Sequence, residues 1–319
     1  MSPYYTITRV RRSSPLTSVL LAVFPLCLIA WDLIYPVSVA ETGWVSALAG
    51  LAILAVCAIW VNSLNSRYSS NLSFQLPGLY LLLALSLPGS VYLSNEHFAA
   101  LLILAVVTLM CRYKQESHRS DLVFCMVFIS AVASSLFPPL LPALLLLILT
   151  GIIYSDRKSS FLIILLLSTL IGIAAGCGCS YLFHGPETMS ARWASYWSAL
   201  STPLRGGGSS SWQQIAMLSM MIAGNVVSII LFLLNRRHLR REESRLLNTT
   251  ALATATTGVL LTVYYIGSSL WPLVLLPVMA PLSQVIFNLR DEGRGVLLMV
   301  FVLIYGLLAV ALRILPFIG

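Results

Sequence analysis

Long hydrophobic segments, each the length of a helix, are separated by short polar segments along this chain. Apolar runs of about 16 to 24 residues recur from one end to the other, and each can cross a hydrocarbon core of about 30 Å as an α-helix. The pattern predicts an all-α fold, a polytopic transmembrane helical bundle of about 11 spans within a single integral membrane domain, residues 1–319. The predicted spans are 16–36, 44–63, 76–93, 97–112, 121–136, 138–154, 160–183, 212–234, 247–266, 270–288 and 294–315.

The short polar segments between these runs carry most of the basic residues, which predicts an orientation. With the arginines of residues 9–12 in the cytoplasm, the later basic clusters fall on the same side, including the loop 235–246. This distribution is the positive-inside pattern of bacterial membrane proteins, and it places the C-terminus outside. Only the pair 121–136 and 138–154 is ambiguous, since three prolines within 138–142 also fit a re-entrant hairpin.

The composition is typical of a membrane protein and indicates which kinds of partner to expect. The chain is 58% hydrophobic and 9% charged, with a mean hydropathy of +0.90, whereas soluble domains carry about 25% charged residues. The net charge of +8 lies in short clusters between apolar runs, so we expect membrane lipids as partners and no nucleic acid. The six cysteines lie in or beside apolar runs, where cysteine behaves as a small hydrophobic residue.

The longest polar interruption is residues 184–211, which this topology places outside the membrane. Residues 186–200 are predicted to form an amphipathic helix, because Pro186 suits the first turn and Glu187 suits its positive end. The apolar stripe of this helix consists of Met189, Trp193, Tyr196, Trp197 and Leu200. Such a helix lies flat in the headgroup layer, either as a connector between spans or as the wall of an extracytoplasmic site.

Three arginines lie on the outer side, where the charge rule disfavours them: Arg192, Arg205 and Arg313. We predict that they bind an anionic substrate, with Trp193 and Trp197 beside it. The alternatives are charge attraction between Arg192 and lipid phosphate, and snorkelling of Arg313 from the last span to the outer headgroups.

Acidic and histidine side chains are also sparse on the outer side, and three of them are candidate catalytic bases. Asp32 lies one turn inside the end of the first span, Glu41 lies in the short loop that follows, and His184 begins the long loop. Exposed acids more often have no chemical role, so each is also interpretable as a solvated charge. The chain has no phosphate-binding glycine loop and no zinc-protease motif, and we expect no metal and no cofactor.

Two stretches resemble a known family. "NSLNSRYSSNLSFQLPGLYLLLALSLPG" and "SLFPPLLPALLLLILTGIIYSDRK" are similar, in their polar, proline and basic residues, to an uncharacterised Bacteroidetes family of polytopic inner-membrane proteins. That resemblance implies a Gram-negative inner membrane and carries no assigned catalytic residues. A looser architectural similarity, the long outer loop with its arginines, links the chain to lipid-linked glycan polymerases and membrane glycosyltransferases.

These features lead to one functional hypothesis and two alternatives. The hypothesis is an enzyme of envelope polysaccharide biogenesis that acts on a polyprenyl-phosphate-linked sugar at the outer leaflet. Its site would lie between residues 186–205 and the outer ends of the first and last spans. The alternatives are a transporter or flippase of lipid-linked or small amphipathic cargo, and a non-catalytic subunit bound to other envelope membrane proteins.

Overall fold

The structure is a computed structural model. It describes residues 15–35, 43–68, 75–115, 120–136, 159–201 and 294–314, with four isolated helical positions between 219 and 230. These residues form seven α-helices and, among them, no strand, which confirms the predicted all-helical class for this part of the chain. The helices are α1 (Pro15–Ile34), α2 (Trp44–Tyr68), α3 (Gln75–Leu85), α4 (Asn95–Gln115), α5 (Ser120–Leu136), α6 (Ser159–Ser201) and α7 (Arg294–Ile314).

Two of the described helices are long and apolar enough to cross a membrane. They are Leu16–Ile34, with a mean hydropathy of 2.1, and Trp44–Leu64, with 2.3. This indicates membrane association, although core helices of soluble proteins and signal sequences meet the same criterion. The predicted count of about 11 spans is not established, because four of those spans, 138–154 and the three within 212–288, lie outside the continuous described segments.

Helix α3 is shorter than the apolar run that contains it. The sequence predicts one span over 76–93, but the helix ends at Leu85, and residues 86–94 continue as turns. An 11-residue helix is about 16 Å long, half of a hydrocarbon core. Hydrophobicity alone does not reveal this break, because Leu87 and Val91 beyond it are as buried as the helix itself.

Helix α6 is much longer than a single span. The predicted span 160–183 and the predicted helix 186–200 form one continuous helix of 43 residues, which includes Pro186. A helix of this length extends about 64 Å, twice the thickness of a hydrocarbon core. The expected polar loop therefore starts as helix, and only its part after Ser201 lies outside the described residues.

The core of the bundle is centred on α3. This helix packs against both α1 and α2, and most of its side chains are buried, including Leu79, Tyr80 and Leu82. Glycine permits close approach at one of these contacts, since a Cβ on Gly78 would lie 3.0 Å from the Cβ of Leu21 on α1. Outside this centre, α4 packs on α2, α5 on α4, and α6 on α5.

Helices α1 and α7 lie side by side and run in the same direction. Gly306 faces the ring of Phe24, and about two turns further along both helices Arg313 meets Asp32. A side chain on Gly306 would collide with the Phe24 ring, so the missing Cβ lets the two helices approach. The C-terminal ends of the first and last described helices thus lie together at one end of the bundle.

Candidate functional site

A buried ion pair joins α1 to α7 at this end of the bundle. The Nε and Nη2 atoms of Arg313 donate to Oδ1 and Oδ2 of Asp32, each at 2.9 Å. Both residues are buried, with exposed fractions of 7% for Arg313 and 1% for Asp32. The parallel two-bond geometry is the strongest form of a guanidinium–carboxylate contact. The two opposite charges thus compensate each other inside an apolar bundle, where a lone charge is costly.

The same guanidinium also binds the broken end of α3. Arg313 Nη2 donates to the carbonyl oxygen of Leu85 at 2.7 Å and lies 3.4 Å from that of Leu87. The last carbonyls of a helix lack partners within the helix and carry its negative partial charge, so a cation is favourable there. Arg313 therefore stabilises a helix end that the chain places within an apolar core.

The remaining carbonyls at the end of α3 are satisfied by the residues that follow. The backbone N–H of Ser86 donates to Leu82 at 3.0 Å, and that of Leu87 donates to Ala84 at 3.2 Å. The Ser86 hydroxyl donates to the Leu83 carbonyl at 2.6 Å. Together with the Arg313 contact, these bonds provide a partner for each of the last four carbonyls of the helix, as a buried helix end requires.

Pro88 and Gly89 form the turn that follows. The N–H of Ser90 donates to the carbonyl of Leu87 at 3.2 Å, and Gly89 has a φ of 80°. Proline at the second position and a positive φ at the third are the features of a type II β-turn. The backbone of Gly89 also hydrogen-bonds the Asp32 carboxylate, so the turn contacts both α1 and α7.

Tyr305 on α7 makes a second polar contact with this segment. Its hydroxyl lies 2.7 Å from the hydroxyl of Ser86, and both residues are buried. Since the single hydroxyl proton of Ser86 is donated to the Leu83 carbonyl, Tyr305 is the donor in this pair. The contact fixes α7 to the start of the irregular segment through a residue that lies about two turns before Arg313.

His97, in the first turn of α4, binds the end of the irregular segment through its side chain. Its Nδ1 accepts from the Ser94 N–H at 3.2 Å, and the Ser94 hydroxyl lies 2.8 Å from the same atom. Its Nε2 lies 2.9 Å from the Ser90 carbonyl, which can only accept. The ring is therefore neutral, with its proton on Nε2. His97 occupies the place of the Glu or Gln in a capping box and holds residues 90–94 against α4.

Two further bonds hold the segment to α1 and α2. The Tyr92 hydroxyl donates to the backbone carbonyl of Asp32 at 3.1 Å. The N–H of Leu93 lies 3.1 Å from both the hydroxyl and the carbonyl oxygen of Ser46. We name the cluster formed by Asp32, Arg313 and residues 85–94 the outer polar cluster, because the predicted topology places it on the outer side.

Two polar atoms in the outer polar cluster are buried and have no hydrogen-bond partner within the described part of the chain. They are Nη1 of Arg313 and the hydroxyl oxygen of Ser90. A buried donor without a partner is unfavourable by about 1–3 kcal/mol, and native proteins rarely leave one unfilled. A further hydrogen-bonding group could therefore bind this cluster at these two atoms.

The predicted site residues divide into three sets. Asp32 and Arg313 are brought together, and Arg313 is paired and buried instead of extended towards headgroups. His184, Arg192, Trp193 and Trp197 lie on the backbone of α6, and their side chains are outside the described part of the structure. Glu41 and Arg205 also lie outside the described residues. The structure therefore places one pair of the eight candidates in direct contact.

Several residues of the outer polar cluster were not predicted as site residues. Ser86, Ser90 and Tyr92, and the Tyr305 that contacts Ser86, are common residue types within apolar runs, and their sequence positions carry no distinctive spacing. The dipeptide Pro88–Gly89 is a turn signal inside a predicted span, and it could have indicated the break. Among the described residues, no group of three or more His, Cys, Asp or Glu side chains could hold a metal ion.

Comparison with known families identifies the group to which this chain belongs. The model of a family of unknown function, DUF6427, matches residues 10–314. The chain therefore belongs to that family, which agrees with the uncharacterised family expected from the sequence. Comparisons with curated proteins and with solved structures found no match.

Proposed function

We propose that this member of the DUF6427 family is a multi-pass inner-membrane protein that acts on a polyprenyl-phosphate-linked glycan at the outer leaflet. It would transfer the sugar as a membrane glycosyltransferase or polymerase does, in the biogenesis of envelope polysaccharide. The observation that carries the proposal is the buried, hydrogen-bonded pair of Asp32 and Arg313 at one end of an apolar helical bundle.

Charged groups inside membrane-spanning bundles are costly and usually mark the sites where such proteins work. Asp32 lies two residues before the end of α1, and Arg313 lies one residue before the end of α7. The pair is thus near one end of these two helices and not at their middle, and we propose that this end lies at the depth of the lipid headgroups. This position suits a substrate whose polar group stays at the surface while its polyprenyl chain lies among the helices.

The direction of the helices supports the choice of leaflet. If α1 crosses the membrane, its C-terminal end lies on the side opposite the N-terminus. Because α7 runs parallel to α1, its C-terminal end, with Arg313, lies on that same opposite side. The arginines within 9–12 favour a cytoplasmic N-terminus. Together these features favour an outer-leaflet position for the outer polar cluster.

The exposed side chains of α2 support membrane insertion. Val45, Leu48 and Ile59 are large apolar residues with exposed fractions of 80%, 66% and 67%. Only 33% of the apolar window of this helix is buried, which is unlike the core helix of a soluble protein. A contiguous apolar surface of this kind is stable against lipid and unfavourable against water.

The proposed chemistry is displacement at the anomeric carbon of the lipid-linked sugar. An acceptor hydroxyl oxygen bonds to this carbon while the carbon–oxygen bond to the diphosphate breaks, and the diphosphate leaves with the electron pair. A base takes the hydroxyl proton. Arg192 and Arg205 would stabilise the charge that develops on the diphosphate, and each well-placed donor contributes about 2.7–4 kcal/mol.

The ion pair changes the role that we assign to Asp32. Both of its carboxylate oxygens accept from Arg313, so both are engaged by the guanidinium instead of facing an acceptor hydroxyl. We therefore propose that Asp32 positions Arg313 and the turn, and that Glu41 or His184 is the base. Trp193 and Trp197, on the part of α6 beyond the predicted span 160–183, would lie beside the substrate.

Complementation of a deletion strain tests this proposal. We expect loss of the surface-glycan profile on deletion, recovery with the wild-type chain, and no recovery with Arg192→Ala or Arg205→Ala. Arg192→Lys and Arg205→Lys should recover poorly, since lysine lacks the planar two-bond contact of arginine. Arg157→Ala, in a basic cluster that we place in the cytoplasm, is the matched control and should recover fully.

A normal glycan profile in the deletion strain would exclude the proposed function. Full recovery by all four arginine variants would exclude Arg192 and Arg205 from the site. Lipid mass spectrometry of the purified chain provides an independent measurement, in which a co-purified polyprenyl phosphate is the expected result.

The break in α3 favours a second candidate, a transporter or flippase of lipid-linked cargo. Broken helices form the substrate sites of many secondary transporters, and α3 ends at Leu85 with buried, non-helical residues beyond it. Reconstituted chain that moves a labelled polyprenyl-linked sugar across vesicles, and releases no diphosphate, would favour this candidate over the enzyme. Diphosphate release without net movement would favour the enzyme.

A further inference from the structure

The two unpartnered atoms of the outer polar cluster belong to two residues that contact the same backbone oxygen. Arg313 Nη2 lies 3.4 Å from the carbonyl oxygen of Leu87, and the N–H of Ser90 donates to the same oxygen at 3.2 Å. A single backbone oxygen thus links the guanidinium to Ser90. The buried Nη1 of Arg313 and the buried Ser90 hydroxyl are both without a partner among the described residues.

The planar geometry of the guanidinium decides where Nη1 can bind. The edge formed by Nε and Nη2 is occupied by the Asp32 carboxylate, and Nη2 also donates to Leu85. The two protons of Nη1 lie in the same plane, away from the edge that Asp32 occupies. Arg313 therefore has two donor positions that face away from its counter-ion, one of them beside the Nη2 proton that binds Leu85.

The backbone of Ser90 is hydrogen-bonded on both sides, while its hydroxyl has no partner among the described residues. Its N–H closes the turn, and its carbonyl oxygen is 2.9 Å from Nε2 of His97. The residue has an exposed fraction of 0%. Its hydroxyl can both donate and accept, so Arg313 and Ser90 together present donors and an acceptor beside the same turn.

Charge selects the kind of group that would bind these atoms. Asp32 already neutralises Arg313 through two hydrogen bonds, and it would repel a second anion nearby. An uncharged oxygen that accepts from Nη1 and exchanges a hydrogen bond with Ser90 meets no such repulsion. A sugar hydroxyl has both properties, whereas a phosphate oxygen has neither a proton to donate nor a neutral charge.

We propose that Nη1 of Arg313 and the hydroxyl of Ser90 form a subsite for a neutral hydroxyl of the glycan headgroup. This inference rests on the proposed function and separates two roles within it. Arg192 and Arg205 would bind the diphosphate, and Arg313 together with Ser90 of the turn at 87–90 would bind the sugar. Because both atoms are covered in this structure, the turn moves when the sugar enters.

Native mass spectrometry of the full chain in lipid nanodiscs tests the subsite. The probes are a polyprenyl diphosphate that carries one N-acetylhexosamine and the same polyprenyl diphosphate without a sugar. The wild-type chain should bind the sugar-bearing lipid more tightly. Ser90→Ala should reduce this preference by about threefold to tenfold, the equivalent of one hydrogen bond, and leave the affinity for the sugar-free lipid unchanged.

Arg313→Lys should reduce the same preference, because lysine keeps a charge for Asp32 but has no second donor nitrogen. If Arg313→Lys does not fold, Ser90→Ala still tests the subsite, because it leaves the ion pair intact. The matched control is Ser130→Ala, which removes a buried hydroxyl that already donates to the carbonyl of Met126 on α5. This control should bind both lipids as the wild-type chain does.

The outcomes separate this inference from the function on which it rests. Equal affinity of the wild-type chain for the two lipids, or an equal effect of Ser90→Ala and Ser130→Ala, would overturn the sugar subsite alone. Failure of the chain to bind either lipid would overturn the proposed function and the subsite together. Hydrogen exchange at the Ser90 amide gives a second readout, in which the sugar-bearing lipid should change the rate and the sugar-free lipid should not.

Discussion

Asp32 and Arg313 lie 281 positions apart in the chain and form two parallel hydrogen bonds of 2.9 Å. They connect the first described helix to the last one. Arg313 also donates to the end of α3 through Leu85, so the guanidinium connects three helices at one end of the bundle. Arg313, for which snorkelling to the lipid headgroups was the alternative interpretation, is instead part of the core.

Removal of Arg313 should be more damaging than removal of both charges. Arg313→Met leaves the Asp32 carboxylate buried without a counter-charge, and loss of one partner of such a pair costs about 3–5 kcal/mol. The double variant Asp32→Asn with Arg313→Met should recover part of this loss, because no charge remains buried. Thermal unfolding of the purified variants in detergent, followed by circular dichroism, measures the difference.

The control for this comparison is Arg112→Met, at an exposed position on α4. It should change the free energy of unfolding by less than about 0.5 kcal/mol, as is usual for surface substitutions. A double variant that is less stable than Arg313→Met would contradict the compensation of the two charges.

Gly89→Ala should destabilise the turn through its backbone conformation alone. The φ of 80° lies in a region that side chains disfavour, yet a Cβ at this position would meet no atom within 4 Å. The expected loss is about 1–2 kcal/mol. Gly178→Ala in α6 also meets no atom within 4 Å and should stabilise the helix by about 0.5–1 kcal/mol. If both substitutions shift the unfolding temperature in the same direction, the turn assignment is wrong.

Tyr305→Phe should weaken the contact between α7 and the start of the irregular segment. The variant removes the donor to Ser86, which keeps its own bond to the Leu83 carbonyl, so the loss should be about 0.5–1.5 kcal/mol. A double-mutant cycle with Ser86→Ala measures the coupling between the two hydroxyls. Additive effects would show that they do not interact, and Tyr181→Phe, at an exposed position, should have no effect.

Reporter fusions test the proposed orientation. A fusion at Ser190, near the far end of α6, should report the outer side of the membrane, and a fusion at Glu243 should report the cytoplasm. The expectation follows from the positive-inside rule applied to the basic loop 235–246. Activity of both reporters on one side would exclude the whole arrangement, including the outer position of Asp32 and Arg313.

The hydrophobic pattern by itself was sufficient for the helical class and for several helix positions. The predicted spans 16–36, 44–63 and 121–136 agree with α1, α2 and α5 at most boundaries, because long apolar runs here end at polar residues, prolines or glycines. The span predicted over 97–112 starts two residues after α4 does, and Ser94 with His97 explains the earlier start through its capping contacts. Local chemistry determines such features, so they are readable from the sequence.

Tertiary contacts decided the rest. The run 76–93 is mostly apolar and contains the turn signal Pro88–Gly89, but its helix can end at Leu85 inside the core because Arg313, a distant residue, provides a hydrogen bond that the backbone would otherwise lack. The partner of Asp32 is likewise fixed by the parallel packing of α1 and α7, which no local pattern encodes. A charge within a span needs a partner, and the sequence predicted an anionic substrate or the lipid headgroups as the partner of Arg313. Only the folded arrangement of the helices determines that the partner is Asp32.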